Sequence, residues 1–194
     1  MSVEKSLLGK DTHYPTTYQP EILFPISRSL SRENYADVAG IQQGYDWWHV
    51  FELSWLNAQG IPQVAIGRLT LPAFSPNLIE SKSLKLYFNS LNFTQFNSES
   101  AFVATVEKDL SAAAGATVTI QLFQVDALTI DQPEGICIDD LVPDRLENQP
   151  DASLLSLDRE NTDNLEIQLY SHLLRSNCPV TGQPDWGTVF IRYQ

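Results

Sequence analysis

The sequence predicts an α+β fold in which two helices cover one face of an antiparallel sheet. Three observations lead there: two neighbouring stretches alternate with period two across a short turn, two stretches after them carry helical apolar stripes, and alternation then returns. The order is strand, strand, helix, helix, strand. With 194 residues, 43% of them hydrophobic and 19% charged, the chain can form a sizeable core.

Residues 1–45 are rich in Pro, Tyr, Ser and Thr, with Pro15, Pro20 and Pro25 at a five-residue step. Proline fixes φ and removes a donor, so this segment is expected to wrap over the surface rather than pair inside a sheet. From Trp47 the pattern changes. WWHVFELSWL places Trp47, His49, Phe51, Leu53 and Trp55 on one strand face. NAQG reads as a turn and PQVAIGRLTL as the returning strand, before Pro72, Pro76 and Asn77 break the sheet. In SKSLKLYFNSLNF, Leu84, Tyr87, Phe88 and Leu91 form one apolar helix face, and Lys82, Lys85, Asn89 and Asn92 the polar side. SAFVATVEKDLSAAA carries a second stripe through Phe102, Val103, Val106 and Leu110. Asn97 or Ser98 suits its N-cap, and Gly115 its C-cap. TVTIQLFQV closes the series as a strand.

Four segments result: a wrapping segment at 1–45, a first module at 46–138, an acidic linker at 139–164, and the first strands of a second module at 165–194. LEIQLYSHLL restarts alternation, SNCPVTGQPDWG reads as a turn-rich loop, and GTVFIRYQ as another strand. The second half opens like the first, and no helical stripe follows before Gln194. The second module is therefore expected to be incomplete.

The net charge is -12, which opposes a nucleic-acid surface because such surfaces need clustered Lys and Arg. A nucleobase-sized ligand, or a phosphate held by a few local cations, is not excluded. No apolar run is long enough to span a bilayer, and MSVEKSLLGKDTHY lacks the pattern of a secretory signal. A cytoplasmic protein with no membrane partner is expected, and its two cysteines, Cys137 and Cys178, are expected as reduced thiols.

Cys178 lies in a loop with Asn177, Thr181 and Gln183, polar groups that can support a thiolate, and Asp185 follows seven residues on. By residue type alone, a buried filler cysteine and a turn aspartate are the commoner roles. Glu80 stands where the hairpin meets the first helix. A carboxylate there is stabilised by the helix N-terminus, and it can also accept two parallel N–H bonds from a guanine-like edge. Spacing alone favours simple charge compensation. Lys82 and Lys85 can hold a cofactor phosphate or form a solvated face, the commoner case. A metal site has little support, since CxxC and HxxxH are absent and His13, His49 and His172 are far apart. No GxGxxG or GxxxxGK[ST] loop is present, so any dinucleotide would bind outside a Rossmann frame. His49 reads as a core or interface histidine, and Cys137, in GICIDD, as strand filler.

Two motifs change these odds together. ESKSLKLYFNS and SHLLRSNCPVTGQPDWG resemble the signature and nucleophile segments of the NADPH-dependent 7-cyano-7-deazaguanine reductases. LFPISRS, ELSWLNAQGIPQVAIG and GICIDD resemble the longer, two-module branch of that family, so the resemblance spans nearly the whole chain. It implies the tunnelling fold, a ferredoxin-like antiparallel sheet with two helices on one face, present here as one complete module and the start of a second. It implies Cys178 as nucleophile, Asp185 as proton donor, Ile79, Glu80 and Ser81 as substrate contacts, and Ser81 with Lys82 as NADPH contacts. The implied substrate is a small deazapurine, with no direct nucleic-acid partner, and the implied assembly is a homo-oligomer, dimer or higher. The implied reaction reduces the nitrile to an aminomethyl group through a covalent thioimide on Cys178, in queuosine biosynthesis. Members of this branch continue into a second helical pair with a His-Glu substrate motif, whereas this chain ends at Gln194. Two other readings stay open: a deazapurine-binding piece without turnover, and a zinc hydrolase resembling GTP cyclohydrolase on the same fold.

Overall fold

Proline spacing leaves short extended pieces near the N-terminus, and one of them pairs. In the computed structural model, which describes residues 14–35, 37–127, 129–143, 145, 151–154, 156, 166–178 and 182–193, β1 (Pro25–Ser27) is followed by a one-turn helix α1 (Ser29–Arg32). The first residues, read as lacking a secretory signal, and most of the acidic linker fall outside the described residues. The chain divides into two compact units, Met1–Thr129 and Ile130–Gln194, each described by itself below.

In the first unit, β2 (Tyr45–Leu56), β3 (Pro62–Pro72) and β5 (Thr119–Phe123) form an antiparallel sheet in the order β2-β3-β5. Between β3 and β5 come β4 (Asn77–Ile79), α2 (Ser81–Leu91) and α3 (Glu99–Ala114). β4 pairs antiparallel with β1, Pro25 opposite Ile79. This corrects the expectation that the proline-rich segment stays out of any sheet: Pro25 sits at the strand's first position, where a missing donor is tolerated. The antiparallel sheet with helices packed against it is an α+β arrangement.

A second correction concerns β2. The alternation reads as one face from Trp47 to Trp55, but the register shifts between Val50 and Leu53, where β2 carries one extra residue against β3. A bulge reverses which side each later residue faces. Leu53 and Trp55 are accordingly buried beneath the helices, with Trp48 and Val50 packed against the same core, while Trp47 and Phe51 are 65% and 67% exposed. His49 is exposed rather than in the core, its ring nitrogen 3.4 Å from the Arg68 Nε donor.

The core forms where α2 and α3 lay their apolar stripes on the sheet. Leu84, Tyr87, Phe88 and Leu91 from α2 meet Phe102, Val106 and Leu110 from α3, all within one buried cluster. The Trp55 and Phe102 rings stack at 4.2 Å and Phe96 meets Phe102 edge-on at 5.4 Å, contacts worth about 0.5–1.5 kcal/mol each beyond burial. Ser98 caps α3 by accepting the Ala101 N–H at 3.1 Å, and Gly115 ends it with φ 72°, a left-handed value that disfavours a side chain. A Cβ at Gly115 would also lie 2.6 Å from Pro76.

Two buried serines on α2 attach the N-terminal segment. Ser83 Oγ accepts the Phe24 N–H at 3.0 Å, and Ser90 Oγ accepts the Gln19 N–H at 3.2 Å. Each hydroxyl donates in turn to a carbonyl of its own helix, so its polar atoms are satisfied without water. Nearby, Tyr18 and Tyr87 both donate to Asp109 Oδ2, at 2.6 and 2.7 Å. Burial, reinforced by the bond to Asp109, pushes the Tyr87 hydroxyl far above the ordinary tyrosine value. A raised folded value gives stability that is complete below the unfolded pKa of about 10 and is lost as pH climbs past it. Urea unfolding of Tyr87→Phe is therefore expected to show a loss of about 1–2 kcal/mol at neutral pH and a shallower decline above pH ~10 than the parent. An equally steep alkaline decline would refute the linkage.

In the second unit, β6 (Ile136–Cys137) pairs parallel with β7 (Ile167–Asn177), which pairs antiparallel with β8 (Pro184–Tyr193). Residues 135–138 of GICIDD, grouped by sequence with the first module, and its two linker aspartates lie in the second unit. Gly135 lets β6 approach closely: it has φ 104°, and a Cβ there would lie 2.4 Å from the Gln168 carbonyl oxygen. The expected twelve-residue loop is also shorter. β7 continues to Asn177 and β8 begins at Pro184, leaving Cys178 to Gln183 as the connection.

Candidate functional site

The predicted site residues fall into two clusters, one in each unit. In the first unit, Ile79 ends β4 and Glu80 is the N-cap of α2. The Glu80 backbone N–H donates to the Phe24 carbonyl at 2.9 Å, fixing the residue between the β1–β4 ribbon and the helix. Its carboxylate turns inward: Oε1 accepts the Lys82 N–H and Oε2 the Ser83 N–H, both at 2.8 Å. Ile79 and Glu80 are only 2% and 3% exposed, whereas Ser81 is exposed and Lys82 half-buried. An ionised carboxylate has about four acceptor positions, so two remain after the amides are served.

Beside this helix start lies a cleft of about 400 Å³ between α2 and the bulged stretch of β2, lined by Trp48, Phe51, Ser81, Leu84, Lys85 and Phe88 among others. Its surface is mostly apolar and aromatic, with His49, Glu52, Ser81, Lys85 and Asn89 as polar points, a combination suited to a planar ring. Lys85 lies 3.7 Å from Glu52, an exposed pair that contributes little to stability.

The second cluster is on the β7–β8 hairpin. Ser176 stands opposite Asp185 and Asn177 opposite Pro184. One step further, the Cys178 N–H donates to the Gln183 carbonyl at 2.8 Å, and the Gly182 N–H donates to the Cys178 carbonyl at 2.9 Å. Opposed residues share a sheet face, as do residues two apart, so Cys178 and Asp185 are diagonal neighbours on one face. Their β-carbons are then about 7 Å apart. Cys178 is partly buried, Asp185 is exposed, and neither Cys178 nor Cys137 is in a disulfide. Thr181, the third polar group expected near the thiol, lies outside the described residues.

Sequence reasoning missed a feature of this hairpin. β7 has its own register shift between Ser171 and Leu174, leaving His172 and Leu173 as the bulge. Asp139, just past β6, accepts the His172 N–H at 3.2 Å with each oxygen, and Ser171 Oγ accepts the Leu173 N–H at 3.1 Å. The Ser171 hydroxyl, then the His172 amide, hold the Asp139 carboxyl below the ordinary carboxylate range. The adjacent leucines of SHLLRSN, which interrupt the alternation, were the available signal. Cys137, expected as filler, is exposed on the short β6. Among the described residues, no group of three or more His, Cys, Asp or Glu side chains is placed to hold a metal ion. No helix among them is long and apolar enough to cross a membrane.

Comparison with known proteins bears on both clusters. Residues 14–122 match the family described as nitrile reductase, 7-cyano-7-deazaguanine-reductase N-term. The whole chain is 74% identical over 194 residues to an NADPH-dependent 7-cyano-7-deazaguanine reductase of Acinetobacter baumannii, covering 72% of that protein. It is 69% identical over 193 residues to the protein of the same name from Acinetobacter baylyi, covering 71% of it. The corresponding protein of Psychrobacter cryohalolentis is 49% identical over 208 residues, with 98% of this chain and 72% of the relative covered.

Proposed function

Since the chain belongs to the 7-cyano-7-deazaguanine reductase family, we propose that it acts as an oxidoreductase converting 7-cyano-7-deazaguanine to 7-aminomethyl-7-deazaguanine, with NADPH as reductant, in queuosine biosynthesis. The observation that carries this reading is the β7–β8 register, which supports a thiol and a carboxylic acid working on one sheet face.

In the proposed chemistry, the Cys178 sulfur bonds to the nitrile carbon while Asp185 gives a proton to the nitrile nitrogen, so the triple bond becomes the C=N bond of a thioimide. Asp185 is exposed on the hairpin, where a bound ligand can reach it. Two molecules of NADPH, bound in succession, would supply one hydride each. After the first, the carbon–sulfur bond breaks, the thiol is regenerated and an imine remains for the second. In the first unit, the free acceptor positions of Glu80 would take the amide and amine donors of the deazapurine, with Ile79 and Ser81 alongside. Ser81 and Lys82, at the positive end of α2, would contact the cofactor, and a helix N-terminus with a lysine fits a phosphate.

The tunnelling fold, two modules with a linker between them, a cytoplasmic location and assembly into a homo-oligomer belong to the same proposal. The open face of β2, with Trp47 and Phe51 outward, supports the oligomer, because apolar patches of this kind mark association surfaces.

The test is to mix the chain with 7-cyano-7-deazaguanine, record the intact mass, and follow NADPH oxidation. One substrate added per chain, with NADPH consumed, is expected. Binding without adduct or turnover, even in a form matching the full length of the relatives, would favour a binding role instead. Asp185→Asn is expected to slow adduct formation by on the order of 10²-fold while changing substrate affinity little, since it removes a proton donor rather than a contact. Equal adduct rates in mutant and parent would refute that role.

A further inference from the structure

The two bulged hairpins, one in each unit, are built to the same plan. Each first strand carries one extra residue against its partner, between Val50 and Leu53 in β2 and between Ser171 and Leu174 in β7. Four positions past Leu53 the chain turns at Asn57, and four positions past Leu174 it turns at Cys178. The last ladder pairs before the turns are Leu56 with Pro62 and Asn177 with Pro184, so a proline opens both return strands. Each turn closes through a glycine in the left-handed region, Gly60 at φ 77° and Gly182 at φ 68°. Asn57 and Cys178 are thus equivalent positions, one carrying an amide and the other a thiol.

The backbone bonds at the two turns also correspond. The Asn57 N–H donates to the Ile61 carbonyl at 3.0 Å, and the Asn57 carbonyl accepts the Gly60 N–H at 2.9 Å. The Cys178 N–H donates to the Gln183 carbonyl at 2.8 Å, and the Cys178 carbonyl accepts the Gly182 N–H at 2.9 Å. In a plain ladder the Ile61 N–H would return to the Asn57 carbonyl. The glycine has taken that acceptor, and Ile61 donates instead to Asn57 Oδ1 at 3.0 Å, where the Gln59 N–H joins it at 2.9 Å. Gln183 stands where Ile61 stands. The second turn is one residue longer, but the surplus falls between Cys178 and Gly182, before the end that Gln183 occupies.

We infer that the Gln183 backbone N–H is directed at the Cys178 sulfur and stabilises it as a thiolate, which makes Gln183 a positioning residue of the proposed reaction. A hydrogen bond donated to the charged form of a group favours that form. No cation does this from within β7. Arg175, the nearest basic residue on that strand, is three positions from Cys178 and so lies on the opposite face, its guanidinium 5.9 Å from the Trp186 ring. Asp185, diagonal to the sulfur, opposes ionisation of the thiol whenever it is charged. A backbone amide offsets that repulsion without placing a base beside the acid.

The inference rests on the nucleophile role proposed for Cys178, but its test needs no substrate. Iodoacetamide alkylates a thiolate and releases iodide, so the rate at Cys178 against pH, followed by peptide mass spectrometry, reports its ionisation. Gln183→Ala keeps the N–H and is expected to leave the midpoint of that profile within about 0.2 pH units of the parent. Gln183→Pro removes the N–H, keeps the carbonyl that holds Cys178, and should raise the midpoint by about one unit. A proline midpoint equal to that of the alanine variant would overturn the inference. Should the proline variant lose its fold, Asn57→Cys carries the test. A sulfur there meets the Gln59 and Ile61 amides, and its midpoint is expected about one unit below that of the same variant in urea. Equal midpoints folded and in urea would overturn the inference as well.

With the profiles as expected, Gln183→Pro should also shift the pH dependence of adduct formation on 7-cyano-7-deazaguanine by the same amount and leave substrate affinity unaltered. Those profiles with no adduct in the parent would instead remove the nucleophile role and leave the contact between amide and sulfur standing.

Discussion

Replacing Cys178 with alanine is expected to abolish the covalent adduct with 7-cyano-7-deazaguanine and to lower turnover by on the order of 10³-fold or more. Removal of a nucleophile deletes a pathway rather than weakening a contact, so the loss falls on kcat and the substrate still binds. The fold should tolerate the change. Cys178 begins the connection between β7 and β8, and its backbone bonds to Gln183 and Gly182 are ones that alanine keeps. Intact mass with substrate, NADPH oxidation and a binding titration check the three parts of this expectation. An alanine variant that still turns over at more than about a tenth of the parent rate would remove the thiol from the mechanism.

The second large effect is expected at Glu80, where one side chain serves the fold and the proposed ligand together. Glu80→Ala removes both carboxylate bonds to the first turn of α2 and the negative charge at its positive end. Loss of such a cap costs about 1–2 kcal/mol. Affinity for the deazapurine should fall by on the order of 10- to 100-fold as well, because a charged acceptor paired with ligand donors contributes about 1.5–3 kcal/mol. Glu80→Gln separates the two roles. Its single carbonyl oxygen can still cap one amide, so urea unfolding should recover part of the lost stability, while its NH₂ group faces the ligand's own donors and affinity should stay low. Parent-like binding by the glutamine variant would show that the carboxylate only caps the helix.

Helices and turns were the most legible parts of the chain because their signals are local. The stripes through Leu84–Leu91 and Phe102–Leu110, the Ser98 cap and the Gly115 stop each depend on residues within a few positions of one another. What stayed hidden depends on distant chain. The bulge in β2 interrupts no alternation of residue type, so nothing in VFELSWL shows that Phe51 and Leu53 face opposite ways; only pairing with β3 does. The same holds for β6, two residues whose parallel partner lies more than thirty positions on. At the candidate site, residue type and spacing alone pointed to ordinary roles for Cys178, Asp185 and Glu80. The family resemblance supplied the names, and the hairpin register and helix cap supplied a physical arrangement to test. Asp139 could not have been singled out from GICIDD, because its contact is with the His172 amide, 33 positions on.

The distribution of indole rings gives the molecule a built-in optical readout. Trp55 is sealed against Phe102, Trp47 and Trp186 are 65% and 60% exposed, and Trp48 borders the cleft beside Ser81 and Lys85. Iodide should therefore quench the red-shifted emission of the two outer rings first and leave the blue-shifted signal of Trp55 until denaturant opens the core. A planar molecule entering the cleft would dim Trp48 alone, so that ligand occupancy and unfolding can be followed in one cuvette at separate wavelengths.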